Sequence, residues 1–442
     1  MDFSFAGHGC HLLKEYMNTG FKACYVQSAI NLGNYYPALR FAKPFGQANL
    51  QRRAPCRLMI YNENIAFFYR DDERGTPEMN DALQSLAGGM AGEGLDALLV
   101  TDPKHVYYLT GFASNPHERF LGLLLIRGEE PILIVPALDA EAAHAASSVT
   151  SILTHSDTDN PYELLKSQFG GKTPGTLGIE KEHFSVSRYE LLADSVPAAQ
   201  FSDIGPLLRA MRAKKTPEEV SRMKHAAELV EEVLRRGLNH VKSGVSEIEL
   251  VAELEYLMKK VGASGPSFDT MVLSGSNTAL PHGVPGDRII QPGDFLMFDL
   301  GVYAAGYASD ITRTFAVEEA DSKLTEIYNT VLAANLAGIA ASRAGATFGS
   351  VDRAAREVIE NAGYGEYFMH RVGHGLGMDT HEYPSLHGLN TDIIENGNVF
   401  TVEPGIYVPG VGGVRIEDDV FITAEGPVTL TSFPKELTIL HL

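Results

Sequence analysis

The chain has 442 residues, 44% of them hydrophobic, three cysteines and a formal charge of −20. That length is too great for one comfortable core and implies two or three domains. The acidic balance argues against nucleic-acid and anionic-membrane partners. No apolar run approaches the roughly 20 residues of a membrane span and residues 1–30 lack a secretory core, so a cytoplasmic location is expected.

Residues 1–78 differ from the rest. They hold all the cysteines, Cys10, Cys24 and Cys56, an odd number at no metal-site spacing, which reads as free thiols. They lack the acidic excess of the remainder and end in a polar run, 71–78, directly before Met79. Two readings stay open. Either the functional chain starts at Met79, or the segment is an accessory arm whose aromatics, Tyr35, Tyr36, Phe67, Phe68 and Tyr69, pack on a neighbour. Further on, Gly94-Leu-Asp-Ala-Leu-Leu-Val-Thr-Asp-Pro-Lys-His-Val-Tyr-Tyr-Leu-Thr-Gly-Phe112 predicts a buried strand and then a tyrosine-bearing turn. The two apolar runs of 120–136, around Arg127-Gly-Glu-Glu130, predict a hairpin in the same domain, which is taken to span 79–206.

A last domain, 207–442, is marked by helix signals. Thr216-Pro217-Glu-Glu219 supplies an N-cap, a first-position proline and a capping-box glutamate, and Val220, Met223, Ala227, Val230 and Leu234 form one face. Ser246 with Glu249 starts a second helix, which ends at Lys259-Lys260 before Gly262. This pattern recurs. Gly244-Val-Ser-Glu and its helix match Gly345-Ala-Thr-Phe and the helix ending at Gly363, at an offset of 101. Gly293 to Gly301 matches Gly397 to Gly405 at an offset of 104, with Asp299 and Glu403 in equivalent places. Two like halves related by a pseudo-twofold axis, with helices outside a curved antiparallel sheet, make an α+β fold.

Carboxylates gather in these halves. A hairpin turning between Ala304 and Ala305 would put Asp299 opposite Asp310, and one turning at Pro409-Gly410 would put Glu403 opposite Glu417. Like charges so paired repel, and although one such pair reads equally well as solvated strand ends, two call for a cation. Between them Gly373-His374-Gly375-Leu376-Gly377 offers an imidazole in backbone that tolerates close approach.

These motifs resemble a known family, the metal-dependent pita-bread peptidases: aminopeptidase P, prolidase and methionine aminopeptidase, with creatinase as a metal-free relative. The resemblance rests on Phe298-Asp-Leu-Gly, Tyr307-Ala-Ser-Asp-Ile-Thr-Arg-Thr-Phe, Gly373-His-Gly-Leu-Gly, His381-Glu-Tyr-Pro, Thr401-Val-Glu-Pro-Gly-Ile-Tyr and Gly413-Val-Arg-Ile-Glu-Asp-Asp. The 94–112 segment resembles the opening of the creatinase-like α/β N-terminal domain that methionine aminopeptidases generally lack. The resemblance implies two divalent metals, bridged by Asp310 and Glu417, with Asp299 completing one shell and His374 with Glu403 the other. Oxygen ligands with one imidazole suit Mn2+, while Co2+, Fe2+ and Zn2+ stay open. A water shared by the metals would attack the scissile carbonyl, with Glu403 helping the proton to the leaving nitrogen.

By the same resemblance His282 and His381 face the substrate as catalytic and binding residues, and His370 is expected to bind substrate beside them. Arg415 shares a strand face with Glu417 and is expected to bind substrate too, although it could serve only to hold Asp299, and His370 only to orient a ligand. The expected activity is release of an N-terminal residue preceding proline from a peptide, by a homodimer. A strict Xaa-Pro dipeptidase, a hydrolase or lyase of a non-peptide small molecule, and a non-catalytic binding module are the alternatives. Some prolidases carry an arginine just after His-Glu-x-Pro that can hold a dipeptide's carboxylate. Here that position is Ser385, so longer peptides are expected to be cleaved at least as well as dipeptides.

Overall fold

Signals read at the level of single turns carry over to the architecture. In the computed structural model, residues 80–442 are described throughout, and of the first 79 only four strands are. Those strands form an antiparallel sheet in the order Cys10–Leu12, Phe21–Val26, Asn64–Arg70, Arg57–Tyr61, within a unit spanning Met1–Glu78. The free-thiol, aromatic-arm and Met79-start readings otherwise lie outside the described residues.

Met79–Leu442 is a second unit. Its first part is a six-stranded mixed sheet, ordered Gln200–Asp203, Thr176–Ile179, Ala97–Val100, Gly122–Ile126, Ile132–Pro136, Ser151–His155. The central strands are apolar at every position because both faces are covered. Leu98, Val100, Leu123 and Leu125 pack into one core, and Ala97, Leu99, Leu124 and Ile134 into the other. The expected 120–136 hairpin is present, with Leu123 opposite Leu133. The expected tyrosine-bearing turn is instead the helix Pro103–Thr110. Asp102 caps it with proline at its first position, and Gly111 ends it at φ 78°, so the start and stop signals of a helix outweighed the loop reading.

The duplicated α+β region follows. Thr216 and Ser246 cap the helices Pro217–Gly237 and Glu247–Lys260 with complete capping boxes. The second copy supplies Ser322–Ala341 and Phe348–Asn361, the latter capped by Thr347. Ser246 bridges to Ile289 and Thr347 to Ile393, repeating the offsets of 101 and 104. Each half builds its own core under its own helices: Val230, Leu254, Leu296 and Phe298 in one, Val331, Val351, Phe400 and Val420 in the other.

The two hairpins differ in how well they match expectation. Val408 pairs with Gly412, Gly405 with Arg415 and Val402 with Asp418, so one continuous register leaves Glu403 opposite Glu417 as expected. In the other, Ala304 pairs with Tyr307 and Asp299 with Thr312, not with Asp310. The turn sits one residue later than expected, on Ala305 and Gly306, both at positive φ (50° and 82°). Glycine at the second central position of such a turn carries no Cβ penalty, and that chemistry outweighed symmetry about the alanines. A two-residue slip preserves parity, so Asp299 and Asp310 remain on one face.

Candidate metal centre

The centre forms where the two halves' strands meet. Glu417 N donates to Thr312 O at 3.2 Å, joining the segment after Gly412–Arg415 to the strand Ile311–Val317. Asp299 is the last residue but one of Phe295–Leu300, Asp310 precedes Ile311–Val317, and His374 is central in the short strand Gly373–Gly375. Its flanking glycines are needed because a Cβ at Gly373 would strike the Thr401 carbonyl and one at Gly375 the Tyr383 carbonyl.

Oxygen and nitrogen atoms of Asp310, His374 and Glu417 converge within 4.8 Å of one another. His374 Nδ1 lies 3.1 Å from Gly375 O, and a carbonyl can only accept, so Nδ1 carries the ring proton. Nε2 then presents a lone pair 3.3 Å from Glu403 Oε1 and 3.8 Å from Asp310 Oδ2. Burial, then the nearby His381, lowers the His374 pKa to about 3, so the ring is neutral and these contacts are not ion pairs. Asp310 Oδ1 and Glu417 Oε1 are buried without a hydrogen-bond partner. Lone pairs facing one another around orphaned carboxylate oxygens are repulsive until a cation sits among them, and this donor set fits divalent metals.

Without a metal, protons take over that role. Burial, then neighbouring carboxylates, pushes Asp310 and Glu417 well above the usual carboxylate range. Glu403 rises to about 7 through burial, with Arg415 opposing and Asp299 adding to the shift. Asp419, also buried and raised by burial, accepts from Asp310 N at 3.2 Å.

Arg415 is buried and fully engaged. It pairs with Asp299 Oδ2, donates from Nε to Thr312 Oγ1 (3.1 Å) and from Nη1 to Tyr407 Oη (2.9 Å). Thr312 Oγ1 donates to Glu417 Oε2 at 2.7 Å. His370 has both nitrogens occupied, Nδ1 donating to Arg371 O (2.7 Å) and Nε2 accepting from Tyr407 Oη (3.0 Å). His381 lies nearer the open side, its ring 3.7 Å from that of His374. His282 is exposed, in a loop anchored by buried Glu247, which accepts from Ser274 N (2.7 Å) and Gly286 N (3.2 Å). His282 is a neighbour of both His370 and His381.

Several residues of the site escaped sequence reading. Tyr407 and Thr312 stand in the family motifs but carry no assigned role there, and they tie Arg415 to the carboxylates. Arg212 reaches both Asp379 and Glu382 at 2.6 Å, and Lys215 reaches Glu382 at 2.7 Å, clamping the segment that carries His381. Arg371 contacts Ser385 and His381. A lone arginine or tyrosine gives no local signal, and only the fold brings these partners together from distant positions.

The arrangement is that of a metal-dependent hydrolase. Residues 221–424 match the metallopeptidase family M24, and residues 83–214 match the Creatinase/Prolidase N-terminal domain. YkvY of Bacillus subtilis (strain 168) is 43% identical over 81% of this chain and 99% of that protein. A solved Xaa-Pro dipeptidase from Bacillus anthracis is 37% identical, covering 81% of this chain and 99% of its own, with a TM-score of 0.77. An X-Pro aminopeptidase from Thermotoga maritima MSB8 is 31% identical, covering 81% and 100%, with a TM-score of 0.74. The chain belongs to the metallopeptidase family M24. It is a metallopeptidase, and its family implies divalent metals at this cluster.

Proposed function

We propose that the protein is an Xaa-Pro dipeptidase, hydrolysing the bond before proline in dipeptides. The observation carrying the metal part is the set of buried, unpartnered oxygens of Asp310 and Glu417 beside the free Nε2 of His374. Support for the substrate comes from the Xaa-Pro dipeptidase, which is closer to this chain than the X-Pro aminopeptidase, 37% identical against 31%. The prolidase alternative therefore fits better than the expected aminopeptidase P activity. Cleavage of longer peptides is the second reading, favoured by the neutral Ser385.

Asp299, Asp310, His374, Glu403 and Glu417 would hold two divalent ions, with Mn2+ the best match to mostly oxygen donors. Such ions supply positive charge that polarises the scissile carbonyl and lowers the pKa of water. Glu403, with Oε1 3.3 Å from His374 Nε2, would take a proton from the attacking water and return it to the proline nitrogen. His381 accepts from Arg371 at Nδ1, so its neutral ring carries a proton on Nε2 and can donate to the developing oxyanion. His282 would close the opposite side of the substrate, while Arg415 and His370 hold Asp299 and Tyr407 in place.

We further propose that 79–206 and 207–442 act as N-terminal and catalytic domains, and that a cytoplasmic homodimer is the working form. The continuous helix Gly205–Ala213 crosses that domain boundary. Among the described residues no helix is long and apolar enough to cross a membrane. The test is proline release from Ala-Pro by protein loaded in turn with Mn2+, Co2+, Fe2+ and Zn2+. No hydrolysis with any of them would sink the reading, and cleavage of Ala-Pro-Ala alone would move it to the aminopeptidase side.

A further inference from the structure

Arg371 joins His370 to the strand that carries His374, and its half-buried guanidinium turns toward the open side of the centre. Nη1 donates to Ser385 Oγ at 3.0 Å, and Nη2 lies 3.4 Å from His381 Nδ1. Among the described residues no carboxylate lies within 4.0 Å of it. Arg212, Arg313 and Arg415, the more deeply buried arginines, each hold at least one acid. Its positive charge nonetheless reaches Glu403, His374 and His381.

A partly desolvated guanidinium with no counter-ion is costly unless an anion joins it. The fork has five donors, and the bonds to Ser385 and His381 leave others free. Arg415 cannot play this part, because Nε, Nη1 and Nη2 are all committed to protein partners in a buried position. Arg371 also lines a cavity of about 440 Å³ with Arg353 and Arg356, of which Arg356 is paired with Asp352.

The geometry points to Arg371, oriented by Ser385, as the residue that binds the free C-terminal carboxylate of the substrate. This rests on the Xaa-Pro dipeptidase reading and deepens it. In an Xaa-Pro dipeptide the carboxylate carbon is three bonds from the scissile carbon. A side chain touching His381 is therefore placed to meet the carboxylate while the scissile bond lies over the centre. Ser385, a weak partner by itself, thus holds a charged fork by accepting one of its N–H groups. The sequence expectation that longer peptides are cleaved at least as well as dipeptides followed from Ser385 standing where some prolidases carry an arginine.

The test compares Ala-Pro with its C-terminal amide under the same metal. Wild-type protein is expected to favour the acid about ten- to hundredfold in kcat/KM, mainly through KM, as a charge-assisted bidentate pair is worth about that much. In Arg371→Met the acid-to-amide ratio should fall toward one. Arg371→Lys, which keeps the charge but not the fork, should retain part of it, and Ser385→Ala should lower it less than Arg371→Met does. A wild-type ratio near one, or a full ratio in Arg371→Met, would overturn the assignment. The substrate comparison needs no variant, so a misfolded mutant does not shield the idea. Failure of the wild type to cleave Ala-Pro with any metal would instead remove the dipeptidase reading and this inference with it.

Discussion

His374 and His381 sit 3.7 Å apart ring to ring yet face different demands. His374 is buried, with its proton fixed on Nδ1 by Gly375 O and its lone pair among carboxylates. His381 is exposed and held by Arg371 on one side only. Replacing His374, Asp310 or Glu417 by alanine should therefore lower metal affinity by more than about a hundredfold, since even residues that only support ligands cost ten- to hundredfold. His381→Ala should keep its metal and lose turnover. Metal content after gel filtration, measured beside the rate, separates the groups. A metal-free His381→Ala protein, or an active His374→Ala protein, would contradict the assigned roles.

At the scale of the element, close backbone approach explains the glycines around His374. Gly373 has no room for a Cβ against the Thr401 carbonyl, whereas Gly88, near the end of the helix Asp81–Gly89, faces open space. Gly373→Ala is expected to cost about 2–4 kcal/mol, by overpacking that backbone cannot relieve, while Gly88→Ala should be neutral or stabilise by up to about 1 kcal/mol. Urea denaturation midpoints with an unchanged slope would show it, and equal midpoints would refute it. The same comparison shows what a sequence can reveal. Local chemistry was readable: both capping boxes, the Pro409-Gly410 turn and the two glycines beside His374 that let backbone approach. The first hairpin slipped because Ala304 and Ala305 look interchangeable until Gly306 claims the left-handed position. Arg371 and Lys215 were silent because Ser385 and Glu382, which they hold, lie 14 and 167 residues away along the chain.

Across the whole molecule, four buried carboxyl groups with raised pKa values make the metal-free protein sensitive to pH. Asp310, Glu403, Glu417 and Asp419 bind protons more tightly when folded, so their contribution is complete at low pH and is lost as pH rises through the folded values, about 7 for Glu403. His370 and His374, lowered to about 4 and 3, act in the opposite sense, but their contribution is already complete above 6.5. Between pH 6.5 and 8 the carboxyl groups act alone, so the Tm of metal-free protein should fall across that window. Added Mn2+ should remove the fall, because it stabilises the ionised carboxylates and releases their protons. A flat or rising metal-free Tm would contradict this. The same accounting bears on residues 1–78. Every residue assigned to the centre or to its supports lies at or beyond Arg212, the family matches begin at residue 83, and Met79–Leu442 forms a unit by itself. A chain beginning at Met79 retains every residue for which a role in holding metal or substrate is proposed. It should bind the same number of ions as the full chain and keep kcat/KM for Ala-Pro within about threefold. If it proves insoluble or metal-free while the full-length protein is active, residues 1–78 are a structural part of the enzyme and the functional chain does not start at Met79.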